Sequence, residues 1–282
     1  MISVFSTLGE TFVLWRRNII LISFISLTFN IPAVLLNEWN QSLAKSMADL
    51  AAPAKESPES LEELEETNAK LTHELFFEQI PVSVLVMIVN LFVQVLCSAG
   101  ILGLLKTQTS QEKRWDSIRV TIKTYTWTLF RAELILTLLG AVIGIVFGIV
   151  MATTATTISR NPNAFSFLSL IFSAIFLVFL KYALADPLIV LENYGAWDAL
   201  ARSWEMTKDR FVYVLGCYIF LWSGIWLIDR IMQYVDDRLT GTDLLSQVSY
   251  AFLDPLWIVM AWCMYLRIKA ADQSPDEPVL AG

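Results

Sequence analysis

Long apolar runs alternate with short polar segments along the chain, and this pattern predicts helices that cross a membrane. A hydrocarbon core about 30 Å thick needs roughly 20 mostly apolar residues per helical span. Five uncharged windows reach or approach this length, and a sixth is interrupted only by Asp254. The sequence therefore predicts an all-α, polytopic membrane protein with six transmembrane helices. The windows are residues 18–37, 79–105, 134–159, 161–180, 211–228 and 244–266.

A second pattern precedes the first, third and fifth predicted spans. Large apolar residues recur there in steps of three and four, which places them on one stripe of a helix. Basic residues occupy other positions, as in helices that lie among lipid headgroups. We therefore expect three pseudo-repeated units, each an interfacial amphipathic helix followed by a helical hairpin. The stripes are Phe5, Leu8, Phe12, Trp15 and Ile19; Trp115, Ile118, Ile122, Tyr125 and Leu129; and Trp197, Leu200, Trp204, Thr207 and Phe211.

A polar segment, residues 37–79, separates the first two spans. Ser57-Pro58-Glu59 offers an N-cap, a proline at the first helical position and an acid in the first turn, which predicts a helix. The proline-containing end of the chain predicts disorder. The expected organisation is a membrane domain of residues 1–36 and 80–269, an acidic extracytoplasmic helical hairpin of residues 37–79, and a disordered cytoplasmic tail of residues 270–282.

Composition agrees with a membrane protein. Of 282 residues, 56% are hydrophobic and 17% are charged, which is too apolar for an ordinary soluble domain of this size. The net charge of −7 comes from residues 37–80, which contain ten acids and three lysines. The remainder is balanced, so a nucleic-acid partner has no support. The acidic hairpin either meets a protein partner or is simply a solvated face.

Catalytic chemistry finds little support in the residue types present. The one histidine, His73, lies outside every predicted span, which excludes an embedded histidine base or histidine metal site. Cys97, Cys217 and Cys263 lie inside spans, where free cysteines usually act as small apolar packing residues. No Walker loop, HExxH or GxSxG motif occurs. We expect no catalytic residue, no metal site and no cofactor.

Basic residues set the expected orientation. The segments that the six spans place on one side hold 13 lysines and arginines, against six on the other. Because positively charged loops stay in the cytoplasm, both termini are expected there. The basic side chains then either orient the helices or recognise a specific lipid of the bilayer, each worth about 1 kcal/mol near anionic headgroups. The interfacial basic residues are Arg16, Arg17, Arg131, Arg202, Lys208 and Arg210.

Small residues recur every four positions in the third predicted span, at Gly140, Gly144, Gly148 and Ala152. Such a glycine zipper forms a smooth groove that lets another helix backbone approach closely. The sequence predicts a helix-packing seam here, against either a neighbouring span or a second copy of the chain.

Five polar residues in or beside the spans are candidate binding residues: Asn90, Gln94, Lys181, Asp186 and Asp254. The two amides lie about one turn apart and need partners in lipid, so they bond another helix or line a solute path. Ionisable groups in a membrane are functional candidates by default. Asp254 precedes a proline, the pairing of an N-cap with a first helical position, so a helix is expected to begin there.

Several local motifs together resemble those of a known family. They are Trp15-Arg16-Arg17-Asn18, Ala185-Asp186-Pro187-Leu188 with the Ile-Val-Leu-Glu that follows, Ala199-Leu200-Ala201-Arg202-Ser203-Trp204, and the closing Tyr265-Leu266-Arg267. The chain resembles the YciC-like bacterial inner-membrane proteins, which are similar to the membrane domain of glycerophosphoryl diester phosphodiesterases. This resemblance implies a fold and no reaction, because no phosphodiesterase catalytic domain is present.

Three functions stay open at this point. The favoured one is an envelope or lipid-interacting accessory protein without a catalytic site. A small-solute or lipid transporter is the first alternative, with Asn90, Gln94, Lys181 and Asp254 as pathway groups. A membrane enzyme of lipid metabolism is the second, and only the family resemblance suggests it.

Overall fold

A computed structural model describes residues 2–51, 80–107, 114–160, 179–239 and 252–273. Over these ranges the chain is helical and contains no β-strand. The described α-helices are α1 (Val4–Ala51), α2 (Ile80–Lys106), α3 (Arg114–Arg160), α4 (Ala185–Glu192), α5 (Ala196–Lys208), α6 (Phe211–Leu239) and α7 (Pro255–Gln273), and a 3-10 helix (Leu180–Tyr182) precedes α4.

Four described segments are long and apolar enough to cross a membrane: Val4–Thr28, Pro81–Lys106, Arg114–Phe147 and Phe211–Val235. They overlap the first, second, third and fifth predicted spans. The fourth predicted span lies almost entirely outside the described residues, and the sixth is described only from residue 252 onward. The structure thus supports an all-helical membrane protein, with four candidate spans in its described part.

Apolar side chains cover much of the outer surface of these helices. Ile145 on α3 is 63% exposed and Val212 on α6 is 81% exposed. Apolar exposure on this scale is unfavourable in water, but it suits a helix surrounded by lipid chains. The outward faces of α3 and α6 therefore agree with membrane insertion.

Helix α7 is enclosed by protein. Val259, Met260, Trp262, Met264 and Tyr265 are all buried, and α7 packs against α4 and α6. This helix is the centre of the core, since its side chains are buried on several faces.

The first residue of α7 is Pro255, directly after Asp254, as the Asp-Pro pair predicts. The Trp257 N–H donates to the carbonyl oxygen of Asp254 at 3.1 Å. At the other end α7 continues to Gln273, where the Asp272 carboxylate pairs with Arg210. Disorder from residue 270 is therefore a wrong prediction for residues 270–273, and residues 274–282 lie outside the described part.

Two of the three predicted interfacial helices are not separate elements. Helix α1 runs unbroken from Val4 past Trp15, and α3 runs unbroken past Leu129. No proline or glycine stands where the stripe meets the span, so nothing interrupts the backbone hydrogen bonds. Only in the third unit does the chain break, where α5 ends at Lys208 and α6 begins at Phe211.

The side of these segments that packs against protein carries hydroxyl groups. Phe5, Trp115 and Trp197, which start the three apolar stripes, are 60–70% exposed. Each segment also buries a pair of Ser or Thr residues four positions apart. The pairs are Thr7 and Thr11, Ser117 and Thr121, and Ser203 and Thr207.

Each hydroxyl pair connects its helix to another element. The Thr7 hydroxyl lies 2.7 Å from the Tyr213 hydroxyl on α6, and the Ser117 hydroxyl donates to the Gly103 carbonyl on α2 at 3.0 Å. The Ser203 and Thr207 hydroxyls both donate to the Lys181 carbonyl. Hydrogen bonds of this kind join helices where lipid surrounds them, because apolar contact alone gives little preference for protein over lipid.

The contacts divide the chain into two compact units, Met1–Ser26 with Val95–Gly282, and Leu27–Gln94. The first unit contains all the cavities described below. In the second unit α1 remains helical to Ala51. The predicted acidic hairpin is therefore described only for its first part, as a continuation of α1, and residues 52–79 lie outside the described part.

Candidate functional site

A cavity of about 470 Å³ lies within the first unit, bounded by residues of α2, α3, α4, α6 and α7. We call it the carboxylate cavity, because the side chains of Glu133 and Asp186 both line it. Its volume falls within the roughly 300–1,000 Å³ typical of ligand pockets. The other polar lining residues are Ser98, Thr137 and Tyr218, and the remaining wall includes Leu136, Phe179, Leu180, Tyr182, Ala183, Pro187, Trp257, Ile258 and Ala261.

The short helix α4 holds one of the two acids in place. Asp186 lies in its first turn, and the adjoining residues Leu184, Ala185, Leu188 and Ile189 are buried. Helix α4 packs against α3, α5 and α7, so it is fixed on several sides. The Asp186 backbone is consequently held by the core.

The chain leaves α4 through a left-handed residue. Asn193 has φ 58°, a conformation that asparagine tolerates better than most side chains. Gly195 then adopts an extended conformation before the first turn of α5. This tight connection turns the chain directly from the cavity wall into α5.

The two carboxyl groups affect one another. Burial raises the pKa of the Asp186 carboxyl, and the charge of the neighbouring Glu133 raises that pKa further. Within the described part of the chain, no hydrogen bond or ion pair is recorded for either side chain. Two facing acids without a compensating cation are unfavourable, and a bound cation or a shared proton would relieve the repulsion.

Aromatic rings form much of the remaining wall. Tyr218 and Trp257 stack with their ring centroids 5.2 Å apart. Phe179 and Tyr182 line the same cavity. The cavity wall therefore combines two acidic residues with four aromatic residues.

A second cavity, of about 520 Å³, lies between α3 and α5. We call it the tryptophan groove, after Trp197 and Trp204 of α5. Its other lining residues are Ile135, Leu136, Leu139, Tyr182, Leu200, Ala201 and Glu205. Leu136 and Tyr182 also line the carboxylate cavity, so they form a wall common to both.

Lys181 lies at the edge of this groove. Its ammonium nitrogen is 3.9 Å from the centroid of the Trp204 ring, a close cation–π contact. The Ser203 hydroxyl fixes the backbone here, because it donates to the Lys181 carbonyl at 2.8 Å and accepts the Leu184 N–H at 3.1 Å. Of the two sequence-predicted residues, Asp186 thus lines the carboxylate cavity, and Lys181 contacts Trp204 of the tryptophan groove.

The other candidate binding residues do not line either cavity. Asn90 and Gln94 belong to the second compact unit, where the Gln94 side chain is exposed. Asp254 is exposed at the start of α7. The sequence pattern did not single out Glu133, because this residue directly precedes the uncharged window of residues 134–159 and belongs to the polar segment before it. The one indication that the sequence gives of this residue is that a single acid stands directly beside an apolar run.

The interfacial basic residues have different surroundings. Arg16, Arg17 and Lys208 are exposed, and the Arg131 guanidinium lies 5.2 Å from the Trp127 ring centroid. Arg202 pairs with Glu205 at 3.0 Å, and Arg210 pairs with Asp272. Three of the six therefore have contacts with aromatic or acidic side chains.

The glycine zipper is described in its first half. A Cβ at Gly140 would lie 3.8 Å from the Phe179 ring, in ordinary contact, whereas a Cβ at Gly144 would meet no atom within 4 Å. The side chains at positions 148 and 152 lie outside the described part. A packing seam along all four residues stays a prediction.

The end of α7 is joined to α4 and α1 by charged hydrogen bonds. The Glu192 carboxylate accepts from the Tyr265 hydroxyl at 2.5 Å and from the Lys269 ammonium at 2.6 Å. The Arg267 guanidinium donates to Glu10 at 2.8 Å. Hydrogen bonds from Lys269 and Tyr265 lower the pKa of Glu192.

Residues 67–243, more than half of the chain, match the family described as Domain of unknown function (DUF7847). The chain belongs to the DUF7847 family. The match includes Glu133 and Asp186, so both acids of the carboxylate cavity lie in the DUF7847 region, and so does the whole tryptophan groove. No curated protein and no solved structure matches the chain.

Proposed function

We propose that this DUF7847 protein is a lipid-interacting accessory protein of the bacterial inner membrane. The observation that carries the proposal is the tryptophan groove. Its wall is mostly apolar, with Ile135, Leu136 and Leu139 on one side and Leu200 on the other. Such a surface suits a hydrocarbon chain, while the indole rings of Trp197 and Trp204 are of the kind that collects at the membrane–water boundary.

Charge at the groove favours an anionic or zwitterionic lipid. The Lys181 ammonium lies over the Trp204 ring, 3.9 Å from its centroid. Basic residues near a lipid surface each contribute about 1 kcal/mol of attraction to anionic headgroups. A lipid whose acyl chain lies in the groove would place its phosphate near this ammonium.

The test is crosslinking with a phospholipid that carries a photoactivatable diazirine in its acyl chain. The full chain is placed in nanodiscs containing this lipid, irradiated, and digested for mass spectrometry. We expect labelled peptides from α3 and α5. In Ala201→Trp, a large side chain occupies the groove, and the crosslinks to these peptides should fall.

A matched control separates the groove from general lipid contact. Ser223→Trp adds the same side chain at an exposed position on α6. We expect this variant to crosslink at α3 and α5 as the unsubstituted chain does. Equal labelling of α3 and α5 in Ala201→Trp and the unsubstituted chain would overturn the proposal.

A transporter of small solutes is the second candidate, and the carboxylate cavity is the observation that favours it. Glu133 and Asp186 lie inside the helix bundle, where transporters hold their coupling groups. Flux into proteoliposomes tests it. Loss of uptake in Glu133→Gln with uptake retained in Asp116→Asn would favour transport, and unchanged uptake in Glu133→Gln would contradict it.

The acidic hairpin is proposed to meet a protein partner outside the cytoplasm. Its support is the concentration of the net negative charge in residues 37–80. Crosslinking with mass spectrometry, with and without residues 40–79, tests this role, and the same partners after deletion would remove it. The YciC-like resemblance and the role of a lipid-metabolising enzyme both stay predictions.

A further inference from the structure

We propose that the carboxylate cavity binds an organic ammonium group. Glu133 and Asp186 supply the negative charge from two different helices, α3 and α4, and four aromatic residues form the surrounding wall. This site is separate from the tryptophan groove, although the lipid form of the ligand rests on the function proposed above.

The first step concerns the acids. Asp186 and Glu133 are both half-buried and both form part of the cavity wall, and the charge of Glu133 acts on the Asp186 carboxyl. In the described residues neither acid has a basic side chain within ion-pair distance. Since charge removed from water is costly without a counter-ion, a cation from outside the chain would stabilise the two acids in their ionised form.

The second step concerns which cation fits. A sodium, calcium or magnesium ion requires a shell of several oxygen ligands. Most of this wall is carbon, contributed by residues such as Leu136, Pro187, Ile258 and Ala261. An alkylated ammonium is a weakly hydrated cation that tolerates apolar contact, so it suits this wall better than a metal ion does.

The third step concerns the rings. Ammonium groups are attracted to the faces of aromatic rings, and cages of aromatic and acidic residues are the usual way in which proteins hold quaternary ammonium ligands. The stacked pair of Tyr218 and Trp257 and the rings of Phe179 and Tyr182 are all part of this wall. The cavity volume of about 470 Å³ accommodates such a head with an attached chain.

The ammonium can come from two sources, a free amine or the headgroup of a phospholipid. The common wall of Leu136 and Tyr182 brings the cavity next to the tryptophan groove. A lipid with an amine headgroup would thus find sites for its two ends on neighbouring surfaces. The experiment has one arm for each source.

The free-amine arm uses tetramethylammonium chloride as the probe. The full chain in detergent is titrated while its tryptophan fluorescence is recorded, since Trp257 lines the cavity. We expect a saturable change that sodium chloride at equal ionic strength does not produce. Asp186→Asn and Glu133→Gln should each raise the half-saturating concentration at least about tenfold, equivalent to about 1.4 kcal/mol of binding free energy.

The controls keep this arm interpretable. Asp116→Asn changes an exposed acid in the first turn of α3 and should bind the probe as the unsubstituted chain does. Gel filtration and thermal unfolding identify any variant that is misfolded, and the two cavity variants are nearly isosteric with the original residues. An equal response to sodium chloride, or unchanged binding in both cavity variants, would overturn the proposal.

The lipid arm uses nanodiscs of phosphatidylcholine or phosphatidylglycerol, with the retained lipid measured by native mass spectrometry. Preferential retention of phosphatidylcholine that Asp186→Asn abolishes assigns the ammonium to a headgroup. Probe binding without this preference assigns it to a free amine. Ala201→Trp distinguishes the two proposals, because it blocks the groove and should leave tetramethylammonium binding unchanged.

Discussion

The Glu192 carboxylate joins α4 to α7 through two donors, the Tyr265 hydroxyl and the Lys269 ammonium. Both donors favour the ionised acid, which is why the pKa of Glu192 lies below its ordinary value of 4.5. A lowered pKa means that folding is stabilised above the unfolded pKa and that this stabilisation is lost as the pH falls through the folded value. Acidification below about pH 4.5 should therefore weaken this contact.

Glu192→Gln tests that contact. We expect a loss of about 0.5–1 kcal/mol at pH 7, a modest figure because Lys269 is substantially exposed and the pair is screened by solvent. The variant should also lose less stability than the unsubstituted chain between pH 5 and pH 3. Thermal unfolding in detergent, followed by circular dichroism, measures both effects. Glu205→Gln, which removes an exposed ion pair within α5, should change neither.

Gly103 lies where α2 approaches α3 closely. A Cβ added there would be 2.9 Å from the Ile118 Cα, a backbone atom that cannot easily move. Gly103→Ala should therefore cost about 1–3 kcal/mol of stability. Gly9→Ala is the matched control, because nothing lies within 4 Å of its added Cβ, and it should stabilise α1 by about 0.5–1 kcal/mol. Equal unfolding temperatures for the two variants would contradict this account.

At the scale of elements, the period of apolar residues predicted the described helices, but it did not predict how much of each apolar stripe is buried. In water the apolar stripe of a helix packs against the protein core, whereas in lipid the same stripe can face the hydrocarbon chains. In α1, Phe5 and Phe12 of the first stripe are accordingly exposed, whereas Thr7 and Thr11 are buried. Of the two acids of the carboxylate cavity, the sequence predicted Asp186 as a candidate binding residue, but it did not predict Glu133. The meeting of the two acids depends on the packing of α4 against α3, which the sequence does not show.

Helix α5 is attached to the 3-10 helix by the Ser203 hydroxyl. Ser203→Ala leaves the buried Leu184 N–H without its acceptor, while Thr207 still donates to the Lys181 carbonyl. The expected cost is about 1–3 kcal/mol, that of an unsatisfied buried donor. Ser223→Ala removes an exposed hydroxyl from α6 and should be nearly neutral. Denaturant titration of both variants measures the difference, and an equal effect would show that α5 is held in another way.

At the scale of the molecule, the expected orientation rests on the unequal distribution of lysine and arginine. The three native cysteines are buried, so they leave a low background for thiol labelling. We expect a membrane-impermeant maleimide to label Lys208→Cys only from the cytoplasmic side, and Lys55→Cys only from the opposite side. Labelling of both from one side would contradict the topology. Intact cells and inverted vesicles provide the two directions of access.

The enclosed position of α7 bears on how the protein is made. Helix α7 is synthesised after the other described helices, yet it fills the centre of the core, and its Arg267 pairs with Glu10 of α1. The described helices that precede it therefore cannot complete their packing until α7 has been made. A nascent chain that stops before Pro255 would lack the helix that fills the core. Because its packing would be incomplete, it would be exposed to the quality-control proteases of the cell.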